Sequence, residues 1–261
     1  MGERVQAART VEVLRCDDAG HAVELAAVTD RGGVRAENQD AVTLLDLEAA
    51  TGCALLVADG MGGHPDGRLA AMVATSATGE RLRHAEEPAA ALVDAVAAAN
   101  QAILSRARPD GMGRTLGTTL VAAVVCGGRA TIANVGDSRA YLVRGGQATQ
   151  VSVDHSWVAE QVRAGLLSAE EAQHHPRRSR ITRALLGEPA EPDLFEVNLR
   201  PGDVLLLCSD GLWEAVSPEG MATALGGEGA LEEQVAELVD AALRAGSTDN
   251  VTAAVARVGP L

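Results

Sequence analysis

No lysine occurs among the 261 residues; all 22 basic side chains are arginine. That absence removes several chemistries together. A Walker A loop and a protein kinase each place a lysine on the phosphates, and Schiff-base catalysis needs a lysine amine. Aromatic residues are nearly as scarce, with one Phe, one Tyr and two Trp. Val, Leu, Ile and Ala must therefore fill the core, and the stacking platforms that hold single-stranded nucleic acid are missing. Cys16, Cys53, Cys126 and Cys208 form no C-x-x-C pair, so neither a zinc site nor a redox motif is suggested. The last three lie in or beside apolar runs and read as core thiols. No apolar stretch approaches about 18 residues and no charged segment leads into a short apolar one, so export and membrane spanning are unsupported. A cytoplasmic protein with no membrane partner is expected.

What is abundant is acid. Asp and Glu number 36, which leaves a formal charge of −14 and repels a phosphate backbone, so nucleic acid is not an expected partner. Most of these carboxylates read as a solvated surface. A hydrophobic content of 47% suits a sizeable core, and no Pro-, Ser- or Gly-rich linker or fixed-period repeat divides the chain. The organisation expected is an arm or first strand over residues 1–22, then a single domain over 23–261.

Short β-like runs fall at 23–29, 41–45 and 53–58, followed by two Ala-rich segments of helical spacing at 68–84 and 88–106. Further strands are expected at 118–126, 130–135, 140–143 and 148–151, and short helices at 156–164 and 168–173. Strands at 194–199 and 204–208, an amphipathic helix at 231–245 and a closing strand at 251–258 complete the pattern. Elements arrive in blocks rather than in βαβ alternation. That favours an α+β fold of two packed antiparallel sheets covered by helices on both outer faces, a four-layer α-β-β-α sandwich.

The sequence Leu55-Leu56-Val57-Ala58-Asp59-Gly60 returns in form as Leu205-Leu206-Leu207-Cys208-Ser209-Asp210-Gly211: an apolar run that delivers a carboxylate and then a glycine. Each Asp-Gly alone reads equally as a turn. An ionised carboxylate carried into a buried place, however, has to be paired, capped or metal-bound. Asp40, Asp137 and Asp249 stand in similar positions. Five convergent acids need cations, and with no His or Cys cluster beside them the hard ions Mg²⁺ or Mn²⁺ fit better than Zn²⁺.

These residues resemble the metal-dependent serine/threonine protein phosphatases of type 2C, and in particular their compact bacterial members. The resemblance runs through Thr29-Asp30-Arg31-Gly32 with Arg35, Asn38 and Asp40, then Ala58-Asp59-Gly60-Met61-Gly62-Gly63-His64 and Gly117-Thr118-Thr119. It continues through Val135-Gly136-Asp137-Ser138-Arg139, Asp154-His155-Ser156, Ser209-Asp210-Gly211-Leu212 and Thr248-Asp249-Asn250-Val251-Thr252. It implies two core ions bridged by Asp59, with the Gly60 carbonyl on one and Asp210 and Asp249 on the other. Asp40 would support bound waters, and Asp137 with Asp210 a third, looser ion. Arg35 would clamp the phosphate, binding two of its oxygens through one planar fork.

The implied reaction is hydrolysis of phosphoserine and phosphothreonine on proteins. Two ions about 3.5 to 4 Å apart can share and activate one water. Implied partners are phosphorylated proteins, with serine/threonine kinases and their substrates among them, and the expected state is a monomer. A mobile flap is implied over about 154–192, where Arg177, Arg178 and Arg180 are candidates to dock phosphorylated segments. Two other functions fit the same residues: a non-catalytic pseudophosphatase that binds phosphoproteins, and a partner-switching phosphatase of anti-sigma-factor antagonists. Met61 stands where eukaryotic relatives carry a histidine, which leaves His64 or water as the candidate proton donor. Gly60, Gly62, Gly63 and Gly67 lack the lysine of a P-loop and read instead as tight turning around the metals.

Overall fold

The computed structural model describes residues 9–18, 21–47, 52–61, 65–87, 89–106, 116–227 and 229–259. Ten residues of the expected N-terminal arm, Arg9–Asp18, form a strand, β1, which pairs along its whole length with β2, His21–Asp30. Two further strands, β3 (Asp40–Asp46) and β4 (Cys53–Met61), lead into helices α1 (Pro65–Arg83) and α2 (Leu92–Arg106). The two-residue β5 (Gly117–Thr118) precedes β6 (Leu120–Cys126), β7 (Arg129–Val135), β8 (Arg139–Arg144) and β9 (Gln147–Gln150). Between β9 and the next strand sit two short helices, α3 (Trp157–Arg163) and α4 (Ala169–Gln173). The chain ends through β10 (Asp193–Asn198), β11 (Val204–Cys208), α5 (Asp210–Trp213), α6 (Pro218–Leu225), α7 (Leu231–Arg244) and β12 (Val251–Val258).

One sheet runs in the order β1-β2-β12-β11-β8-β9 and the other in the order β10-β7-β6-β4-β3, with β5 appended to β4. The pairings are antiparallel. Strand periodicity distributes the apolar runs to both faces. On β11, Leu205 and Leu207 enter the layer between the sheets while Leu206 faces α6 and α7; on β4, Leu55 and Val57 face inward while Leu56 packs under α1 and α2. Burial on both faces is why these strands read as solid apolar runs rather than as alternation. Helix α7 contributes the stripe Leu231, Val235, Leu238 and Ala242 to the outer face of the β1-β2-β12-β11-β8-β9 sheet. The result is the four-layer α-β-β-α sandwich.

The sequence pattern differs from the structure at two helices it does not announce. Helix α5 is a single turn, too short for any periodic signal. Helix α6 opens on the Ser217 cap with Pro218 in its first turn, a start signal followed by too few residues to establish a stripe. The second Ala-rich helix starts at Leu92, later than its expected start at 88.

A carboxylate cluster at one pole of the sandwich

Antiparallel pairing brings the end of each strand beside the start of its neighbour, and five aspartates share one pole in this way. Asp40 opens β3 directly opposite Asp59 near the end of β4. Asp137 lies in the turn between β7 and β8, Asp210 follows β11, and Asp249 lies two residues before β12. Each of the other four raises the proton affinity of Asp59, as expected of like charges in one low-dielectric neighbourhood.

Asp40 is the most firmly held. Its Oδ2 accepts from the Ser209 hydroxyl at 2.7 Å and from the Thr252 hydroxyl at 2.6 Å. Behind these, Asn38 Nδ2 donates to Thr29 Oγ1 at 2.8 Å, and Thr29 and Thr252 share a 2.7 Å hydroxyl contact. Donors therefore run in one direction, toward the carboxylate. Asp59 is fixed through its backbone: its N–H donates to Thr119 Oγ1 at 2.9 Å, and its carbonyl accepts from Thr118 Oγ1 and Thr119 N–H at 2.8 and 2.9 Å.

Burial pushes the Asp40 carboxyl up to about 7 against the pull of Thr252 and Ser209. It lifts Asp137 to about 7, with help from Asp210 and Asp154, and Asp210 to about 6, with help from Asp249 and Glu214. Asp59 rises well above the usual carboxylate range, by burial first and then by repulsion from Asp210 and its neighbours. Asp137 Oδ1 and Asp210 Oδ1 are buried without a hydrogen-bond partner among the described residues. An array of hard oxygen donors, mutually repelling, with two lone oxygens aimed at nothing, fits divalent cations. Among the described residues no three ligand side chains close around one point; the acids form an open cluster, which suits ions that retain several waters.

Backbones cross tightly around the acids. Asn250 ties its own turn to the loop between β2 and β3 at three points, donating to the carbonyls of Arg31 and Glu37 and accepting from the Gln39 N–H. A Cβ on Gly211 would lie 2.0 Å from the Asn250 carbonyl oxygen, and one on Gly60 would lie 2.2 Å from that of Gly67. Gly60 and Gly67 are thus small because strand β4 and the first turn of α1 touch there. Gly211→Ala should lower stability by about 2–4 kcal/mol, since backbone rather than a flexible side chain must yield. A thermal midpoint within about 2 °C of the parent would contradict this, because each kcal/mol is worth about 2–4 °C in a chain of this size.

Arg35 stands at the rim, its Nη2 2.5 Å from Asp249 Oδ2. Met61 ends β4 opposite Gly117, so an apolar side chain follows the Asp-Gly step. Gly62, Gly63 and His64 lie outside the described residues. The sequence motifs also hid several supports. Trp213 Nε1 donates to the Asp137 carbonyl at 3.0 Å, and the Arg139 guanidinium lies 3.4 Å over the Trp213 ring while chelating Asp154. Buried His155 accepts the Gly136 N–H on Nδ1, which leaves its Nε2–H to face the Asp193 carboxylate, itself paired with Arg183. Of the flap arginines, Arg177 stacks over Trp157 and Arg178 approaches Glu214 at 3.7 Å.

Residues 33–256 match the family model described as Protein phosphatase 2C. The chain belongs to the protein phosphatase 2C family. Among curated members, the serine/threonine protein phosphatase PstP of Mycobacterium tuberculosis is 41% identical over 239 residues, covering 89% of this chain but 44% of its own length. The chain thus spans less than half of that relative. The serine/threonine phosphatase stp of Listeria innocua is 36% identical over 86% of this chain and 91% of its own. Among solved structures of family members, the catalytic domain of PstP in complex with two manganese ions superposes with a TM-score of 0.80 at 37% identity, covering 96% of this chain and 100% of that one.

Proposed function

We propose that this protein hydrolyses phosphoserine and phosphothreonine on proteins in a reaction dependent on Mn²⁺ or Mg²⁺. The observation that carries the reading is the gathering of Asp40, Asp59, Asp137, Asp210 and Asp249 at one pole, the first four of them raised in proton affinity by burial and by repulsion from neighbouring acids. Asp59, the Gly60 carbonyl, Asp210 and Asp249 would hold two core ions, and Asp137 with Asp210 a third. When bound, such ions supply an activated water and offset charge on the phosphoryl group.

The remaining work belongs to the chain itself. Asp40, with Oδ2 held by two hydroxyls, is fixed in position to orient water. Arg35 engages Asp249 through one terminal nitrogen and reaches phosphate oxygens with the rest of its fork. Thr118 and Thr119 hold the backbone of Asp59 in register. The relatives' activity toward Ser/Thr phosphoproteins, named as such, supports phosphoproteins as substrates, with kinases and kinase targets as partners of a cytoplasmic monomer. Among the described residues no helix is long and apolar enough to cross a membrane. Hydrolysis of p-nitrophenyl phosphate and of a phosphothreonine peptide should appear on adding Mn²⁺ and vanish with a chelator. Metal-independent rates would defeat the metal dependence, and no rate with any divalent ion would defeat the proposal and leave a binding module.

A further inference from the structure

Strand β3 is the last strand of its sheet, and among the described residues no strand pairs with its outer side. Its outward backbone groups are identifiable. The Asp40 N–H turns to Asn38 Oδ1 at 3.1 Å, and the Leu44 N–H is taken by the Glu12 carboxylate. By the two-residue period, Val42 between them presents its amide and carbonyl outward as well. This edge lies in a groove of about 410 Å³ whose walls are strand β1, through Thr10 and Glu12, and helix α1, through Met72, Thr75, Ser76 and Gly79. Between Arg68 at one end and Arg83 at the other, the helix wall is built of small residues apart from Met72, which is half-exposed. Small side chains there keep bulk away from the β3 edge, beside which an added strand would lie about 4.8 Å away.

The groove is continuous with the carboxylate cluster, because Asp40 and Thr29 line its upper end. From there it follows α1 from Arg68 to Arg83, a run of about 22 Å at 1.5 Å per residue. An extended stretch of about six residues covers that distance. Both arginines line the groove, and their acidic neighbours hold them loosely: Glu37 lies 3.4 Å from Arg68, and Glu80 lies 3.8 Å from Arg83 at an exposed site. In a chain of formal charge −14, two cations spaced along a strand-wide channel favour acidic side chains on the guest.

We propose that the β3 edge groove docks the substrate: the segment flanking the phosphorylated residue adds as an extended strand to β3, with acidic side chains facing Arg68 and Arg83. Main-chain pairing to Val42 supplies affinity with little sequence demand, and the helix-facing positions supply selectivity. This rests on the phosphatase reading but concerns a surface outside the carboxylates, so the two separate experimentally.

Two variants test it, Ser76→Trp, which fills the groove, and Arg83→Glu, which reverses its far cation. Both side chains are solvent-facing. The probes are p-nitrophenyl phosphate and phosphothreonine peptides carrying an acidic six-residue extension on either the N-terminal or the C-terminal side. For one extension, kcat/KM should fall at least about tenfold in Ser76→Trp and severalfold in Arg83→Glu, while p-nitrophenyl phosphate stays within about twofold, as expected when only an added strand is lost. Unchanged peptide rates, or equal losses on peptide and p-nitrophenyl phosphate, would overturn the docking. So would a dimer in sedimentation that Ser76→Trp dissociates, since a second copy would then own the edge. Should the parent hydrolyse neither probe, the phosphatase reading fails by itself. Fluorescence anisotropy of the labelled extended peptide then decides the docking, which requires weaker binding to both variants than to the parent.

Discussion

Asp59→Asn is expected to reduce Mn²⁺-dependent turnover of p-nitrophenyl phosphate by at least about 10³-fold, roughly 4 kcal/mol of transition-state stabilisation. The substitution keeps the shape of the side chain and both backbone ties to Thr118 and Thr119, but removes a charge that would help hold divalent ions. It also removes a member of a repelling set, since Asp210, Asp40, Asp137 and Asp249 each raise the proton affinity of Asp59. The metal-free variant should accordingly be as stable as the parent or more so, while Mn²⁺ binding by titration calorimetry weakens. This opposition separates a catalytic role from a structural one, as sites built for function are often held against stability. A loss below about tenfold with saturating Mn²⁺ would remove Asp59 from the centre of the reaction.

The metal-free protein should lose stability as pH rises from about 4 to 8, and Mn²⁺ should restore it most at the alkaline end. Asp40 and Asp137 titrate near 7 and Asp210 near 6 in the fold, whereas an unfolded aspartate titrates near about 3.9. Between those values the folded state binds more protons than the unfolded one, so unfolding becomes easier with rising pH. The stabilisation is complete below about 4 and gone once pH passes the folded values. Cations replace the protons, so the gap between loaded and metal-free midpoints widens with pH. Two sites each at a hundredfold excess over their dissociation constants contribute about 5 kcal/mol, or on the order of 10–20 °C. Differential scanning calorimetry across pH 5 to 8 with and without Mn²⁺ measures this. A metal-free midpoint that climbs with pH would show that the carboxylates are not confined together.

Much of the fold was legible because burial on both faces writes itself as solid apolar runs. Val204–Cys208 and Val251–Val258 occupy the residues the pattern indicates, and α7 carries its stripe in plain periodicity. Helices α5 and α6 escaped because short helices are specified by caps and by what they pack against rather than by period. At the site, the strand-acid-glycine form marked Asp59 and Asp210, similar positions drew in Asp40, Asp137 and Asp249, and the resemblance added Arg35. The hydroxyls that hold Asp40 carried no such mark: Ser209 and Thr252 lie 169 and 212 residues away in the chain. Nor did Trp213 beneath Arg139, or the contact between Gly60 and Gly67.

The sequence by itself determined the chemistry on offer: oxygen donors at strand ends, arginine as the sole cation, and no lysine or paired thiols to support a rival mechanism. These are properties of residue type and local pattern, and they survive without knowledge of any partner strand. The tertiary structure alone decided that five acids share one pole, that Asp40 is held by hydroxyls on β12 and beside β11, and that β3 is left as an edge beside the cluster. Each depends on which strands pair and in which register. That pairing is set by long-range burial, and only burial turns separate carboxylates into a coupled site.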